Sequence, residues 1–210
     1  MESYVTVFES STWEQVIEKS RFIGVVHPVQ NLEEVEQRLH DIRQNYPNAR
    51  HYVYAYRLHQ GKLEKSTDDG EPQGTGGRPV LDVLQYRQIW DVLIVVIRYF
   101  GGVLLGAGGL TRAYGGTARQ LMDKASIGRL VPHLIYEIEA GYDWYEPLKY
   151  WFKQFSWATG EEEFLATVKL QVYIPWEENQ RFREWLADFA DQKIVPREIG
   201  NTLCPLSNEL

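Results

Sequence analysis

The spacing of hydrophobic and polar residues predicts strands and one helix in the first part of the chain. Runs rich in β-branched and aromatic residues predict short strands at 4–8, 13–17 and 21–27. Asn31 stands where a helix N-cap belongs, and Glu34 follows at the capping-box position. Leu32, Val35 and Leu39 then recur at helical spacing. The pattern therefore predicts a helix from about residue 32 to Tyr46.

The middle of the chain changes from strand to helix spacing. His51–Leu58 alternates and gives a strand with one aromatic face, whereas Val92–Ile97 is apolar on both faces. Such a continuous apolar run is typical of a central strand that is covered on both sides. From Gly109 the apolar residues recur at helical spacing, which predicts a helix that ends near Lys124.

A second pattern begins after residue 130. It predicts, in order, a strand, a helix, two strands, a helix and a strand: 134–140, 148–155, 157–163, 164–174, a helix opened by Pro175, and 193–199. The order β-α-β-β-α-β is that of the split βαβ, or ferredoxin-like, plan. The predicted fold class is therefore α+β.

Composition and charge support two domains in an ordered protein. The 210 residues are 44% hydrophobic and 24% charged, which is typical of a globular chain. Residues 1–130 hold fifteen Lys/Arg and fifteen Asp/Glu, whereas residues 131–210 hold seven and fourteen. This step predicts domains at 1–130 and 131–210. Because neither part is basic, a nucleic-acid site would have to be a local patch.

The same sequence bears on the location of the protein. Its single cysteine, Cys204, cannot form an internal disulfide, which favours a reducing, cytoplasmic environment. No apolar run approaches the roughly 20 residues that span a bilayer, so no membrane association is predicted.

Two glycine-rich segments are the candidate site, since eleven of the seventeen glycines lie between Gly70 and Gly116. The second segment follows the buried strand and enters a helix, where free N–H groups and the helix dipole favour phosphate or carboxylate. We expect Gly108 and Gly109 at the start of that helix, at least one with positive φ. Alternatively, the glycines only allow the loops to fold back against the sheet. Neither GxxxxGK[ST] nor GxGxxG is present, so no nucleotide cofactor is predicted.

Four motifs in this region resemble the Impact/YigZ family: KSRFIGVV at 19–26, HYVYAYR at 51–57, DDGEPQGTGGRP at 68–79 and VIRYFGGVLLGAGGLTRAYGG at 96–116. The resemblance covers most of residues 15–125. It implies an N-terminal domain like the second domain of ribosomal protein S5, followed by a ferredoxin-like domain similar to one in elongation factor G. It also implies an association with translation, because eukaryotic Impact proteins regulate translation initiation, and a proposed nucleic-acid-binding groove. It implies no established catalysis.

The glycine segments and the resemblance together predict the following ligand- or nucleic-acid-binding residues: His51, Asp69, Gly70, Glu71, Gly74, Thr75, Arg78, Arg98, Tyr99, Gly101, Gly102, Gly106, Gly108, Gly109 and Arg112. No catalytic residue, metal site or cofactor is predicted, since the five histidines lack metal-ligand spacing. Asp68, Asp69 and Glu71 have the oxygen ligands that Mg²⁺ prefers, but beside Gly70 they are more typical of turn capping.

Three functional hypotheses follow. The favoured one is a translation-associated binding protein whose groove takes RNA, a ribosomal or translation-factor surface, or a protein partner. The second is an enzyme that acts on a phosphorylated or peptide substrate in the same groove. The third is a protein–protein adaptor that uses the acidic C-terminal domain. The roles of Arg98 and Arg112 bear on whether the groove binds a ligand. Each arginine either binds ligand or pairs internally with Asp68, Asp69 or Glu71.

Overall fold

The computed structural model describes residues 2–205, and within them the chain forms ten strands, five α-helices and two short 3-10 helices. In chain order they are β1 (Tyr4–Val7), β2 (Ser11–Ile17), β3 (Ser20–Pro28), α1 (Leu32–Asn45), β4 (His51–Leu58), β5 (Leu63–Thr67), α2 (Gly77–Tyr86), β6 (Val92–Tyr99), α3 (Gly106–Met122), β7 (Ile127–Ala140), α4 (Tyr142–Gln154), β8 (Ala158–Phe164), β9 (Val168–Pro175), α5 (Asn179–Phe189) and β10 (Arg197–Pro205). The chain divides into two compact units, Tyr4–Gly128 and a unit that continues from Arg129. The architecture is mixed α+β.

The first unit is a five-stranded antiparallel sheet covered on both faces. Its strand order is β2-β3-β6-β4-β5, so β6 lies in the centre as its continuous apolar run predicts. Val92, Ile94 and Val96 face α2 and α3, whereas the intervening residues of β6 face α1. This alternation determines which residues at the end of β6 reach the glycine loops.

Local capping explains where α1 begins. The Asn31 side chain accepts a hydrogen bond from the Glu34 backbone N–H at 2.9 Å, which confirms the predicted N-cap. The Glu34 carboxylate in turn accepts from the backbone N–H of Gln30 at 3.0 Å. Two backbone donors next to the helix start are thereby satisfied.

The second unit is built on an antiparallel sheet with the strand order β10-β7-β9-β8, and β1 also pairs with the long strand β7. Helices α4 and α5 share one core with it, which includes Phe152, Trp157 and Phe182. The strand predicted at 193–199 is displaced, since β10 begins only at Arg197. Pro196 has no N–H to donate to a ladder, and Ile194 is buried in the core instead. No helix in the described part of the chain is long and apolar enough to cross a membrane.

We predict that residues 131–210 fold on their own. Their sheet and both helices close one apolar core within this unit, so the fragment retains its main source of stability. Purified residues 131–210 should show a cooperative thermal transition by circular dichroism, with the full chain as control. A fragment that stays unfolded while the full chain melts as one unit would show that this boundary is wrong.

Candidate functional site

The first glycine loop, residues 68–76, is organised by the carboxylate of Asp68. Its Oδ1 accepts from the backbone N–H groups of Gly76 and Gly77 at 2.9 Å, and its Oδ2 accepts from Gly74 at 2.8 Å. Burial raises the pKa of Asp68, but the three N–H donors outweigh burial and hold this pKa below its usual value of 3.8. The side chain therefore closes the loop and presents the start of α2, which confirms the turn interpretation for Asp68.

Asp69 has a similar structural role. Its Oδ2 accepts from the backbone N–H of Tyr52 at 2.6 Å, and its backbone carbonyl lies 2.8 Å from Nδ1 of His51. Among the described residues, no group of three or more His, Cys, Asp or Glu side chains is placed to hold a metal ion.

A buried charged cluster lies beneath the loop. Oε1 of Glu71 accepts from Nη1 of Arg98 at 2.6 Å and from the Tyr114 hydroxyl at 2.7 Å, and Nε2 of His51 is 3.7 Å away. The side chains of Glu71 and Arg98 are only 4% and 6% exposed. Burial, followed by the hydrogen bond to Glu71, raises the pKa of Tyr114. Of the two interpretations of Arg98, the internal pair is the one observed.

Arg98 is also enclosed by aromatic rings. Its guanidinium carbon lies 5.4 Å from the ring centroids of both Phe22 and Phe100. Its Nε is buried and has no hydrogen-bond partner among residues 2–205. The guanidinium is thus held in place by Glu71 and by the rings, with one donor unsatisfied.

A cavity of about 440 Å³ opens above this cluster. His51, Glu71 and Arg98 form its polar side, and Phe100, Leu104 and Leu105 form its apolar side. Arg50 and the first turn of α3 complete the lining. The cavity therefore combines a paired buried charge, apolar walls and a helix start.

The second glycine loop, residues 100–106, needs glycine for two different reasons. A Cβ on Gly101 would lie 2.0 Å from the carbonyl carbon of Lys19, so the backbones approach too closely for any side chain. Gly102 and Gly106 instead have φ of +86° and +66°. α3 begins at Gly106, so Gly108 and Gly109 lie in its first turn without positive φ. The expected conformation was wrong for these two residues.

Other predicted site residues lie away from the cavity. Tyr99 alternates with Arg98 on β6, so it packs in the core on the α1 face and donates a hydrogen bond to the Pro47 carbonyl at 3.2 Å. Thr75 is buried and bonds the carbonyl of Pro72, and the guanidinium of Arg78 pairs with Asp82 on α2 at 2.7 Å. Gly70 stays close, since a Cβ there would lie 3.5 Å from the His51 ring.

Arg112 has a different environment from Arg98. It is exposed on α3 and lines two surface features. One is a shallow depression that it shares with Leu104 and Leu105, and the other is a groove that it shares with Arg119. Neither the internal pair with Glu71 nor one with Asp68 or Asp69 forms at Arg112 among the described residues. The two arginines that the sequence grouped together thus have distinct structural roles.

Three residues of the site were not predicted from the sequence. Arg50 and Phe100 line the cavity, and Tyr114 belongs to the buried cluster beneath it. Arg50 directly precedes β4 and is exposed, and Tyr114 lies on the buried face of α3. Phe100 directly follows the buried strand β6. Only Tyr114 carried a usable signal, since it falls one helical turn from the apolar residue Leu110.

Comparison with known proteins assigns the class. The Impact N-terminal domain matches residues 18–122, and a domain of unknown function (DUF1949) matches residues 138–193. The chain belongs to the Impact family. It is 34% identical to IMPACT family member YvyE of Bacillus subtilis over 92% of this chain and 89% of that protein. It is 32% identical to IMPACT family member YigZ of Escherichia coli over 90% of this chain and 95% of that protein.

Two further matches define how far the similarity extends. Protein IMPACT of Danio rerio is 36% identical over 42% of this chain, which is 29% of that protein. A crystal structure described as a hypothetical protein matches with a TM-score of 0.61 and 30% identity, over 95% of this chain and 98% of the other. The similarity to the bacterial relatives thus spans both units, whereas the similarity to the animal protein is limited to less than half of the chain.

We predict that Asp68→Asn weakens the fold in a pH-dependent way. At pH 7 the loss of N–H acceptors should lower the free energy of unfolding by about 1–3 kcal/mol. Because the folded pKa of Asp68 is depressed, its stabilisation is present above 3.8 and is lost as the pH falls through the lower folded value. Urea titrations should therefore show the two proteins converging at acidic pH. Glu36→Gln, on the exposed side of α1, is the control, and a constant gap at all pH values would contradict the assignment.

A second prediction concerns the buried pair. Arg98→Ala should lower the free energy of unfolding by about 3–5 kcal/mol, because it leaves the Glu71 carboxylate buried without its partner. Adding Glu71→Gln should recover part of this loss, since it removes the uncompensated charge. Arg112→Ala, at an exposed position, should change stability by only about 0.5 kcal/mol. Equal, small losses for both single variants would disprove the structural role of Arg98.

Proposed function

We propose that this protein is a translation-associated binding protein whose cavity takes single-stranded RNA, either free or on a ribosomal surface. One observation carries the proposal: the charged floor of the cavity is internally paired, whereas its rim offers unpaired positive groups. These groups are the exposed Arg50, which has no ion pair among residues 2–205, and the start of α3. Ligand affinity therefore comes from the rim.

The start of α3 supplies a phosphate-binding element. The first N–H groups of a helix need partners, and no side chain caps this one, because Leu105 occupies the N-cap position. Gly106, Ala107, Gly108 and Gly109 leave these N–H groups unshielded. A seventeen-residue helix also adds partial positive charge at this end. Together with Arg50, this favours an anionic group at the mouth of the cavity.

The apolar side of the cavity supports binding of a base. Phe100 is about half exposed, at 48%, and its inner face is already fixed against Arg98. Sites that bind single-stranded nucleic acid usually combine an exposed aromatic ring with groups that bind the phosphate backbone. Each base that stacks on such a ring contributes about 1–3 kcal/mol to binding. Leu104, which is 88% exposed, extends the same apolar surface.

The place in translation rests on the family. Membership in the Impact family supports the regulatory role that the resemblance implied, and we propose that this role is exercised in the cytoplasm. The two units support the corresponding fold names. The first, with helices on both faces of its sheet, is proposed to be like the second domain of ribosomal protein S5. The second, with the order β10-β7-β9-β8 and both helices in one core, is proposed to be ferredoxin-like.

A second candidate is the enzyme hypothesis, which the orientation of His51 favours. Its Nδ1 lies 2.8 Å from the Asp69 carbonyl, so we assign a proton to that nitrogen, while Nε2 faces Oε1 of Glu71 at 3.7 Å and lies at the cavity. A ring held in place through Nδ1, with Nε2 at a cavity, is positioned to exchange a proton with a bound substrate. It would act on a phosphorylated or peptide substrate at the same cavity, and catalytic loss in His51→Gln with unchanged stability would support it.

Binding of a short RNA tests the proposal. A fluorescent four-nucleotide oligouridylate should bind the full chain at low salt, measured by anisotropy. Phe100→Ala should weaken binding about tenfold, as expected for one lost stacking contact, whereas Phe100→Tyr should retain it. Arg50→Ala should weaken binding and reduce the slope of log K against log salt by about 0.7.

The control is Arg38→Ala, an exposed arginine of α1, which covers the opposite face of the sheet. A wild-type protein without affinity for the oligomer would defeat the RNA proposal. The adaptor, which uses the acidic second unit, would then be the better hypothesis.

A further inference from the structure

A second surface lies outside the cavity, between α2 and α3. It is a groove of about 800 Å³, lined by Pro79, Tyr86, Arg87, Arg112, Gly115 and Arg119, among others. The two helices approach closely because Gly115 faces Pro79, and a Cβ on Gly115 would lie 3.4 Å from the Pro79 Cβ. With Gly116 beside it, part of the groove floor is backbone without side chains. An extended polymer can therefore lie close to the helices.

The charge of the groove comes from α3. Arg112 and Arg119 are seven residues apart, so they lie on one face of the helix, about 10 Å from each other along its axis. Both are exposed, and neither forms an ion pair with another described residue. α3 contains no Asp or Glu. By contrast, Arg87 is neutralised by its ion pair with Asp123, and Asp82, the one acid in the described lining of the groove, is paired with Arg78.

Tyr86 adds an aromatic ring at the edge of the groove. It is the last residue of α2 and is 91% exposed. Its side chain makes no hydrogen bond or ring contact with the other residues of the described range. A large ring held in solvent beside two unpaired arginines is suited to stacking a base while the phosphates contact the guanidinium groups.

The groove and the cavity have no lining residue in common, but a shallow depression has residues of both. It shares Leu104 and Leu105 with the cavity and Arg112 with the groove, and Glu18 also lines it. We propose that a single RNA strand whose end occupies the cavity continues over this depression and along the groove, with phosphates on Arg112 and Arg119 and a base on Tyr86. This extension rests on the proposed function of the cavity.

RNA fits this groove better than an acidic protein segment does. An acidic peptide would use the two arginines but would gain little from the exposed ring. A nucleic-acid strand uses all three features, because each nucleotide brings both a phosphate and a stacking face. The exposed backbone at the glycines also contacts a bound polymer without selecting a particular sequence in it.

Two oligouridylates of different length test the extension. A four-nucleotide oligomer reports on the cavity, and a twelve-nucleotide oligomer is long enough to follow α3 for the roughly 20 Å from Gly106 to Arg119. The double variant Arg112→Ala/Arg119→Ala should weaken binding of the twelve-mer at least tenfold and reduce its salt slope by about 1.4, from two lost phosphate contacts. Binding of the four-mer should not change.

Matched variants separate the contributions. Tyr86→Ala should weaken binding of the twelve-mer only, Tyr86→Phe should retain that binding, and Arg38→Ala should affect neither oligomer.

The possible outcomes distinguish the extension from the cavity proposal. If both oligomers bind but the double variant leaves binding of the twelve-mer unchanged, the extension is wrong and the cavity proposal stands. If neither oligomer binds, both are wrong. If oligoglutamate displaces the twelve-mer at equal concentration, the groove is instead a site for an acidic protein segment.

Discussion

The buried ion pair between Glu71 and Arg98 holds the candidate site together. Arg98 comes from the end of the central strand, Glu71 from the first glycine loop, and Tyr114, which shares the Glu71 oxygen, from α3. Three separate elements therefore meet at one carboxylate. Removing two charges from water is costly, so the pair persists only with close geometry and added hydrogen bonds. Both glycine loops are positioned by this contact, and the cavity between them is its consequence.

This pairing determines what the site is able to recognise. The positive charge of Arg98 is neutralised by Glu71, so an incoming anion gains little from binding to Arg98. The attractive groups are those that the fold leaves without partners at the rim, Arg50 and the start of α3, and these are groups that hold a phosphate backbone without selecting a base. The geometry thus favours a polymer with repeated charges over a small ligand sequestered on the floor.

Periodicity predicted the parts of the fold in which one face is buried and failed where glycine interrupts the pattern. The β6 strand and the N-cap of α1 follow directly from apolar spacing and from Asn31. α2 was missed because Gly76 and Gly77 suggested a loop, although Pro79 in its first turn and the apolar residues that follow are helix signals. β6 was identified from a continuous apolar run, and it is the alternation of side chains along this strand that separates Tyr99 from Arg98. The partner of Arg98, by contrast, depends on a contact across twenty-seven residues that no local pattern contains.

The neutral charge of residues 1–130 does not oppose RNA binding, because the fold sorts the charges in space. α1 carries four Asp/Glu against two Arg and covers one face of the sheet. α3 carries two Arg and no acid, and it covers the other face. Acids near the glycine loops are bound internally, as Asp68 is by backbone N–H groups. On the α3 side, Asp82 and Asp123 are paired with Arg78 and Arg87. A polyanion approaching this side therefore meets the unpaired arginines of α3, while the acids of α1 lie behind the sheet, where distance and counterions weaken their repulsion.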